Sequence, residues 1–247
     1  MFMTFPSIRM KTLIIIPTYN EKANIRTLIA EIIAIAPQAD VVVIDDDSPD
    51  GTAEEVTRLA LESQHPIHLI RRFGQRGLGT AYKTGFEYGL DHAYDVFVTM
   101  DADRSHHPEY LPRLLEAVQQ HDVAIGSRYI RDGGTVNWGV RRILLSWCAN
   151  HFARLLLNLR EHDLTSGFRA YRRKTLAQID WAAIESDGYS FLVETLFYAQ
   201  RNHASICEVP IIFWDRTMGM SKISKREIYL GAFTLLRLRW RELSRKW

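Results

Sequence analysis

The sequence predicts an α/β fold in which helices cover both faces of a mostly parallel central sheet. Apolar runs of strand length alternate with stretches of helical periodicity through the first half of the chain. Such alternation is typical of parallel strands joined by helical crossovers. Length also fits one large domain, since 247 residues with 47% hydrophobic and 24% charged side chains carry no low-complexity linker. We therefore expect a single domain over residues 1–247.

The elements follow in order from the start of the chain. Residues 13–17 (LIIIP) and 41–45 (VVVID) have the apolar character of buried strands, and residues 24–36 between them have helical periodicity. Thr52 and Glu55 have the spacing of a capping box, which predicts the start of the second helix. Further strands are predicted at IHLIRR, DVFVTMD and DVAIGSR, with helices near 80–91 and 109–120.

The two ends of the chain differ from its body. Residues 1–10 are expected to form a flexible tail, and residues 224–247 a basic amphipathic helix. Residues 216–247 hold nine Lys or Arg against two Glu, a net charge of +7, so the rest of the chain sums to −5. A basic end on a mildly acidic body indicates an anionic partner surface, either nucleic acid or a membrane.

Cysteine usage and hydropathy exclude some classes of protein. Cys148 and Cys207 form no CxxC pair, so we expect neither a zinc site nor a disulfide framework, and we interpret both as core residues of a protein in the reducing cytoplasm. Uncharged apolar stretches such as residues 229–236 fall short of the ~20 residues that span a bilayer. The sequence therefore predicts that the chain is not an integral membrane protein.

Polar segments follow each predicted strand, at the edge where ligands bind in open parallel sheets. They are PTYNE (17–21), DDDSPDGT (45–52), FGQRGLGTA (73–81), DADRSHH (101–107) and GSRY (126–129). Each alone is explained equally well as a cap, turn or loop, and His106 and His107 favour a structural role. A dinucleotide site is disfavoured, because Tyr82 stands where a third glycine is needed and Pro17 ends the first strand.

Six motifs in order resemble one family. IIIPTYNE, VVVIDDDSPDGT, MDADRSHHPE, GSRY, TSGFRAYRR and DRTMGMSK are similar to the family 2 glycosyltransferases of GT-A fold, and specifically to the polyprenol (dolichol) phosphate mannosyltransferases. The resemblance implies a Rossmann-like nucleotide-binding half. It also implies a transferase that needs Mg²⁺ or Mn²⁺, held by Asp101 and Asp103 at the end of the fourth strand. The third metal contact, often glutamine in the family, falls on Ser105, which leaves that contact open.

Further site residues are implied by the same resemblance. Asp103 and Arg128 are expected to be catalytic, and the acidic cluster at Asp45 and Asp46 to meet the base or ribose. The expected nucleotide-sugar site comprises Pro17, Tyr19, Glu21, Ile44, Asp46, Asp101, Ala102, Asp103, Arg128, Arg216 and Lys222. The acceptor phosphate is expected at Arg128, Arg142 and Ser146, the last two being four residues apart on one helical face.

The implied reaction moves mannose from GDP-mannose to a polyprenyl (dolichyl) phosphate with inversion. A phosphate monoester with a second pKa near ~6 is largely a dianion at neutral pH, so no catalytic base is required. A relative using UDP-glucose or another sugar nucleotide remains an alternative, and so does a binding module without catalysis. We expect peripheral attachment to the cytoplasmic face of a membrane, direct or through a membrane-protein partner, and no nucleic-acid partner.

Two apolar segments remain ambiguous between lipid contact and core packing. Trp147 and Phe152 lie in the segment 140–156, which corresponds to the family's acceptor loop and its following helix. They suit an isoprenoid chain or a bilayer surface, or else a plain core helix. The C-terminal helix likewise suits either a membrane interface or packing on the body of the protein.

Overall fold

The structure is a computed structural model that describes residues 10–188, 190–215 and 225–244. Most of the predicted N-terminal tail lies outside these residues, as do Arg216 and Lys222.

A seven-stranded sheet forms the centre of the protein. The described residues form nine strands, seven of them in this sheet: β1 (Thr12–Thr18), β2 (Ala39–Asp45), β3 (Ile67–Arg71), β4 (Val96–Thr99), β5 (Val123–Ser127), β6 (Gly134–Val136), β7 (Arg169–Arg172), β8 (Ile206–Pro210) and β9 (Ile212–Trp214). Their order in the sheet is β3-β2-β1-β4-β7-β5-β8, and β6 pairs with β9 separately. Only β7 runs antiparallel to its neighbours in this sheet. The predicted mostly parallel α/β fold is confirmed.

Helices connect the strands and cover the sheet. They are α1 (Lys22–Ile35), α2 (Thr52–Glu62), α3 (Leu78–Asp91), α4 (Leu111–Gln120), α5 (Val140–Leu157), α6 (Arg173–Gln178), α7 (Ser190–Arg201) and α8 (Lys225–Ser244), with a 3₁₀ turn at Pro108–Tyr110. The antiparallel β7 and the helices α6 and α7 were not predicted from the sequence.

Both faces of the sheet are buried, which explains the unbroken apolar run of β1. Leu13 and Ile15 pack into the core on the α3 side, whereas Ile14 and Ile16 pack into the core shared with α1, α2 and α4. All four side chains are fully buried. Each contributes about 1.5–3 kcal/mol to folding by leaving water, which keeps the carboxyl ends of the strands at one edge.

The predicted capping box at the start of α2 is wrong. The N-cap of α2 is Gly51, and it makes no side-chain cap hydrogen bond. The Thr52 hydroxyl instead accepts a hydrogen bond from the Glu21 backbone N–H at 3.0 Å. Glu55 pairs with Arg26 of α1 at 2.5 Å. Both side chains that would form the capping box are therefore engaged in tertiary contacts, with Glu21 at the start of α1 and with Arg26 within it.

The two cysteines lie in different environments. Cys148 is exposed on α5, so its predicted place in the core is wrong. Cys207 on β8 is half-buried, and burial, with the neighbouring Glu208 charge, raises the pKa of its thiol to about 11. Cys207 is therefore a protonated, unreactive thiol near neutral pH.

Candidate active site

A tight loop after β4 presents the two carboxylates that the sequence singled out. The Asp101 backbone N–H donates to Nδ1 of His106 at 3.0 Å, and the Ser105 backbone N–H donates to Oδ1 of Asp103 at 3.0 Å. Arg104 between them has a left-handed φ of 63°. These bonds close the loop on itself and place Asp101 and Asp103 on one short turn.

His106 is a buried structural residue of this loop. Its ring stacks on Phe168 with the centroids 5.1 Å apart. Burial lowers the pKa of His106, and the nearby Asp101 and Asp103 carboxylates offset this only in part. A neutral ring is also what the hydrogen bond from Asp101 requires, because Nδ1 must accept. The sequence-based preference for a structural histidine agrees with this position.

The donor chemistry of the loop fits a divalent cation. Asp101 keeps 23% of its side-chain surface exposed, and Asp103 is buried, with 8% of its surface exposed. The Ser105 hydroxyl oxygen is buried without a hydrogen-bond partner among the described residues. Within the same residues no cluster of three or more His, Cys, Asp or Glu suited to a metal occurs. The loop thus offers two carboxylates and one unsatisfied hydroxyl, and these are the oxygen donors that Mg²⁺ or Mn²⁺ prefers. Such a cation would keep its other coordination positions open for a ligand.

Asp101 also contacts two elements behind the loop. The Tyr82 hydroxyl of α3 donates to Oδ1 of Asp101 at 3.1 Å. Gly167 lies so close that a Cβ there would be 3.4 Å from the same oxygen and 3.1 Å from the Tyr82 hydroxyl. The Thr99 hydroxyl holds the Gly167 carbonyl at 2.7 Å. The segment that precedes β7 is therefore tied directly to the carboxylate loop.

The acidic cluster after β2 is engaged within the protein. Asp45 is fully buried and accepts hydrogen bonds from the Thr18 and Ser48 hydroxyls at 2.8 and 2.6 Å. Asp46 accepts from Nε of Arg72 at 2.7 Å and from the Gly77 backbone N–H at 3.0 Å. Both carboxylates hold the polar segments after β1, β2 and β3 together at the edge of the sheet.

The remaining predicted nucleotide residues near this edge differ in exposure. Pro17, Tyr19 and Glu21 are partly exposed where β1 ends. The Ile44 side chain is fully buried in the core, and Ala102 is 4% exposed. The ring of Tyr19 has the Arg76 guanidinium 4.3 Å from its centroid.

A cavity of about 570 Å³ lies beside the carboxylate loop. Four of the predicted site residues line it, namely Asp101, Arg128, Arg142 and Ser146. The rest of its wall is largely apolar and includes Leu145 and Phe152 of α5, Leu192 and Val193 of α7, and Leu235 of α8. The cavity thus combines a few charged side chains with a largely apolar wall.

Arg128 is anchored by a carboxylate that sequence reasoning missed. Its Nε and Nη2 donate to the two oxygens of Asp163, each at 2.7 Å, and its backbone N–H donates to Asp163 at 3.0 Å. Asp163 is fully buried. Burial raises the pKa of Asp163, but the charge and hydrogen bonds of Arg128 outweigh it, so the pKa lies below its usual range. The pair is ionised and fixes the guanidinium in the cavity wall.

Trp138 lies beside both arginines of the cavity. The guanidinium of Arg142 is 3.9 Å from its ring centroid, and that of Arg128 is 5.4 Å away. Arg142 also pairs with Asp215 at 2.8 Å. The indole attracts both cations and so keeps two like charges near each other in the cavity wall.

The loop at 163–167 is held from three directions. Asn150 of α5 accepts from the Leu164 backbone N–H at 2.7 Å. Arg169 is fully buried, and its guanidinium donates to the carbonyls of Leu164 at 2.6 Å and Ser166 at 2.8 Å. Asp163, Asn150 and Arg169 are thus positioning residues for the cavity wall. The TSGFRAYRR motif was recognised from sequence, and Asp163 stands two residues before it. The spacing of residues in the sequence does not show that Asp163 pairs with Arg128.

In the described part of the chain, no helix combines the length and apolarity that crossing a membrane would need.

Fold and site together define a glycosyltransferase of GT-A type: an α/β sheet with paired carboxylates after a central strand and a second, cationic site beside them. The model of the family "Glycosyl transferase family 2" matches residues 13–180. The chain belongs to glycosyl transferase family 2, as the motifs predicted, and is an enzyme of mannosyltransferase type.

Curated relatives agree with this assignment. Polyprenol monophosphomannose synthase of Mycolicibacterium smegmatis is 46% identical over 224 residues, 90% of this chain and 84% of the relative. Undecaprenyl-phosphate mannosyltransferase of Micrococcus luteus is 46% identical over 215 residues, 87% of this chain and 88% of the relative. Dolichol-phosphate mannosyltransferase of Pyrococcus furiosus is 38% identical, over 89% of this chain and 61% of the relative.

Solved structures show the same fold. Glucosyl-3-phosphoglycerate synthase of Mycobacterium tuberculosis, in complex with Mn²⁺, uridine diphosphate and phosphoglyceric acid, superposes with a TM-score of 0.64. The identity is 18%, and the match covers 93% of this chain and 78% of that one. The same enzyme with Mg²⁺ and uridine diphosphate gives a TM-score of 0.65 at 19% identity, over 93% and 79% of the two chains.

Replacing Asp163 with Asn should destabilise the protein, because it leaves the Arg128 charge buried without its counter-ion. We expect a loss of about 3–5 kcal/mol in the free energy of unfolding, which lowers Tm by roughly 10 °C. Thermal and denaturant unfolding measure this, with the exposed Asp91→Asn as the matched control. A loss no greater than that of the control would contradict the assigned role of the pair.

The double variant Arg128→Met with Asp163→Leu separates the effect of charge from that of packing. It removes both ions together, so it should be more stable than Asp163→Asn.

The ion pair also predicts how stability depends on pH. Because the pKa of Asp163 is depressed in the folded protein, its contribution to stability is complete above the unfolded pKa of about 3.9. This contribution disappears as the pH falls through the folded pKa. Stability of the native protein should therefore fall more steeply below pH ~4 than that of the double variant.

Proposed function

We propose that this protein transfers mannose from GDP-mannose to a polyprenyl (dolichyl) phosphate, with inversion, giving β-D-mannosyl phosphopolyprenol and GDP. The names of its relatives support mannose as the sugar and a polyprenyl phosphate as the acceptor. GDP as the carrier and inversion at the anomeric carbon are the parts of the proposal that go beyond those names.

The observation that carries the proposal is the cavity beside the carboxylate loop, whose lining is partly cationic and largely apolar. Arg128, Arg142 and Ser146 line its polar part, while Phe152 and Leu235 lie in its apolar wall. An amphiphile with a phosphate head and a hydrocarbon chain matches both parts. A water-soluble acceptor would leave the apolar wall without a partner.

The donor is expected at the carboxylate loop and the adjacent strand ends. A bound Mg²⁺ or Mn²⁺ would neutralise charge that develops on the departing diphosphate. Asp101 and Asp103 are the residues proposed to hold it, with the unsatisfied hydroxyl of Ser105 as a third oxygen donor. Pro17, Tyr19, Glu21, Ile44, Asp46 and Ala102, together with Arg216 and Lys222 outside the described residues, remain predicted nucleotide-sugar contacts.

The acceptor phosphate is proposed to bind Arg128 and Arg142 by charge-assisted hydrogen bonds, with Ser146 donating a third. Such bonds are roughly twice as strong as neutral ones. Asp163 holds the Arg128 guanidinium in place before the acceptor arrives, so little ordering is needed on binding. Because the phosphate is already a dianion near neutral pH, its oxygen attacks the anomeric carbon directly and no side chain has to remove a proton.

A lipid acceptor requires the protein to work at a membrane. We propose peripheral attachment to its cytoplasmic face, either directly or through a membrane-protein partner. Trp147 and Phe152 are 49% and 52% exposed, which supports lipid contact over the plain core packing that the sequence left open.

The product identifies the function. Purified protein incubated with GDP-mannose, a polyprenyl phosphate and Mg²⁺ or Mn²⁺ should form a mannosyl phosphate lipid whose anomeric configuration by NMR is β. Omission of the lipid or addition of a chelator serves as the control. An α-linked product would refute single displacement, and faster transfer from UDP-glucose would favour the alternative donor.

Replacement of Asp103 by Ala should abolish transfer while the fold persists, because the remaining carboxylate holds a cation poorly. The expected loss in kcat/KM is at least about a hundredfold. Asp91→Ala, which removes an exposed aspartate at the end of α3, is the matched control. Circular dichroism and thermal unfolding check the fold, and activity of Asp103→Ala near that of the control would disprove the metal assignment.

Replacing Arg142 and Ser146 together by Ala should weaken use of the lipid acceptor far more than binding of the nucleotide. Loss of charge-assisted bonds predicts a KM for the acceptor raised about tenfold or more. Isothermal titration with GDP should be unchanged. The exposed neighbour Arg141→Ala is the control for loss of charge on α5. Equal losses in both affinities would assign this turn of α5 to the donor site or to the fold.

A further inference from the structure

Two helices that border the cavity carry long exposed apolar stripes. On α8, Tyr229, Phe233, Leu236, Trp240 and Leu243 follow one another at spacings of four and three residues, which places them on one helical face. Their exposed fractions run from 45% to 75%. On α5, which packs against α8, the exposed stripe is Val140, Leu144, Trp147 and Leu155. These two stripes are called the α5–α8 face below.

Three arginines in the C-terminal half of α8, Arg237, Arg239 and Arg241, pair with glutamates of the protein. Arg237 donates to the fully buried Glu194 at 2.7 Å and also pairs with Glu185. Arg241 pairs with Glu185 and donates to the Ala183 carbonyl at 2.9 Å.

Arg239 completes the set by pairing with Glu242 at 3.0 Å. Arg237, Arg239 and Arg241 thus each have a carboxylate partner within the protein, so little of the positive charge of these three residues is left for an external anionic surface.

The buried side of α8 explains why Arg237 and Arg241 face the protein while its large apolar residues face solvent. Leu238 is fully buried, and Thr234 is 6% exposed and meets the Ser186 hydroxyl at 3.1 Å. Arg237 and Arg241 fall next to these residues on the helix, and so they lie against the acidic body. Ordinary amphipathic packing would place apolar residues inside and charges outside. In α8 a broad apolar stripe faces solvent instead, which a soluble surface rarely tolerates without a partner.

The cavity indicates which partner covers this face. Ser146, Ala149 and Phe152 of α5 and Ala232 and Leu235 of α8 line the cavity, so it lies between the helices that carry the stripes. A hydrocarbon chain that extends from the phosphate site along the apolar wall would run between these two helices. The same helices must then meet the layer in which the rest of that chain is dissolved.

We propose that the α5–α8 face inserts into the interfacial layer of a lipid bilayer and holds the protein there by burial of apolar surface, not by attraction to anionic lipid. The inference rests on the proposed function for the identity of the chain in the cavity. Tyr229 and Trp240 suit this depth, because their amphipathic rings favour the boundary between headgroups and hydrocarbon. Binding driven in this way needs no anionic lipid and resists salt.

Flotation of the full-length protein with phosphatidylcholine vesicles tests the proposal. We expect binding to these uncharged vesicles, with similar bound fractions at about 0.1 M and about 1 M NaCl. The double variant Phe233→Ser with Trp240→Ser should lower the partition coefficient about tenfold or more, because it removes two large inserted side chains. Leu61→Ser, which removes an 84% exposed leucine from α2, is the matched control and should bind like the native protein.

Other outcomes would overturn the proposal. Binding only to vesicles with phosphatidylglycerol, and release by salt, would mean that charge drives attachment. A native dimer by light scattering that the double variant converts to monomer, with vesicle binding unchanged, would assign the face to a second copy of the chain.

An activity assay separates failure of this inference from failure of the proposed function. With a short, water-soluble prenyl phosphate, the double variant should transfer mannose with native kcat/KM, since neither Phe233 nor Trp240 lines the cavity. With polyprenyl phosphate in vesicles it should lose activity in proportion to its lost binding. Equal activity of both proteins on the vesicles contradicts the docking role, whereas no transfer by the native protein to either acceptor contradicts the function.

Discussion

The cavity depends on one buried ion pair, between Arg128 after β5 and Asp163 before β7. Both groups are removed from water, so each is tolerated only while the other is present, and the bidentate geometry permits a single arrangement of the two segments. That arrangement places the loop at 163–167 against the carboxylate loop, where Gly167 lies beside Asp101. The cationic and the acidic parts of the site are therefore parts of one rigid structure.

Three ion pairs within the protein lie at or near the site. Asp46 is held by Arg72, Arg142 by Asp215 and Arg128 by Asp163. A site that binds a diphosphate and a phosphate, as we propose for this one, must keep several cations close together. Pairing each cation with a carboxylate lowers their mutual repulsion, and it also holds the guanidinium groups in fixed positions before a ligand binds.

In α8, Arg237 and Arg241 lie against the protein and the apolar stripe faces solvent. Arg237, Arg241 and Leu238 attach α8 to α7 and the segment before it, and Ala232 with Leu235 completes the cavity wall. The opposite face is then free to be apolar. Because ion pairs supply much of the attachment beside the buried Leu238, most large hydrophobic residues of α8 are left available for the proposed contact with a membrane.

Sequence alone determined the α/β class, the positions of β1 to β5 and the carboxylates at Asp101 and Asp103, because buried strands and strand-end motifs are local patterns of side chains. It also placed Arg128, Arg142 and Ser146 together, through motif resemblance. Only the tertiary structure showed Asp163 and Trp138 beside Arg128, the loss of the Thr52 capping box to contacts with α1, the antiparallel β7, and the inward arginines of α8. Each of these contacts joins residues that are far apart in the chain. The groups need their partners because folding removes them from water, so no local pattern of residues predicts the contacts.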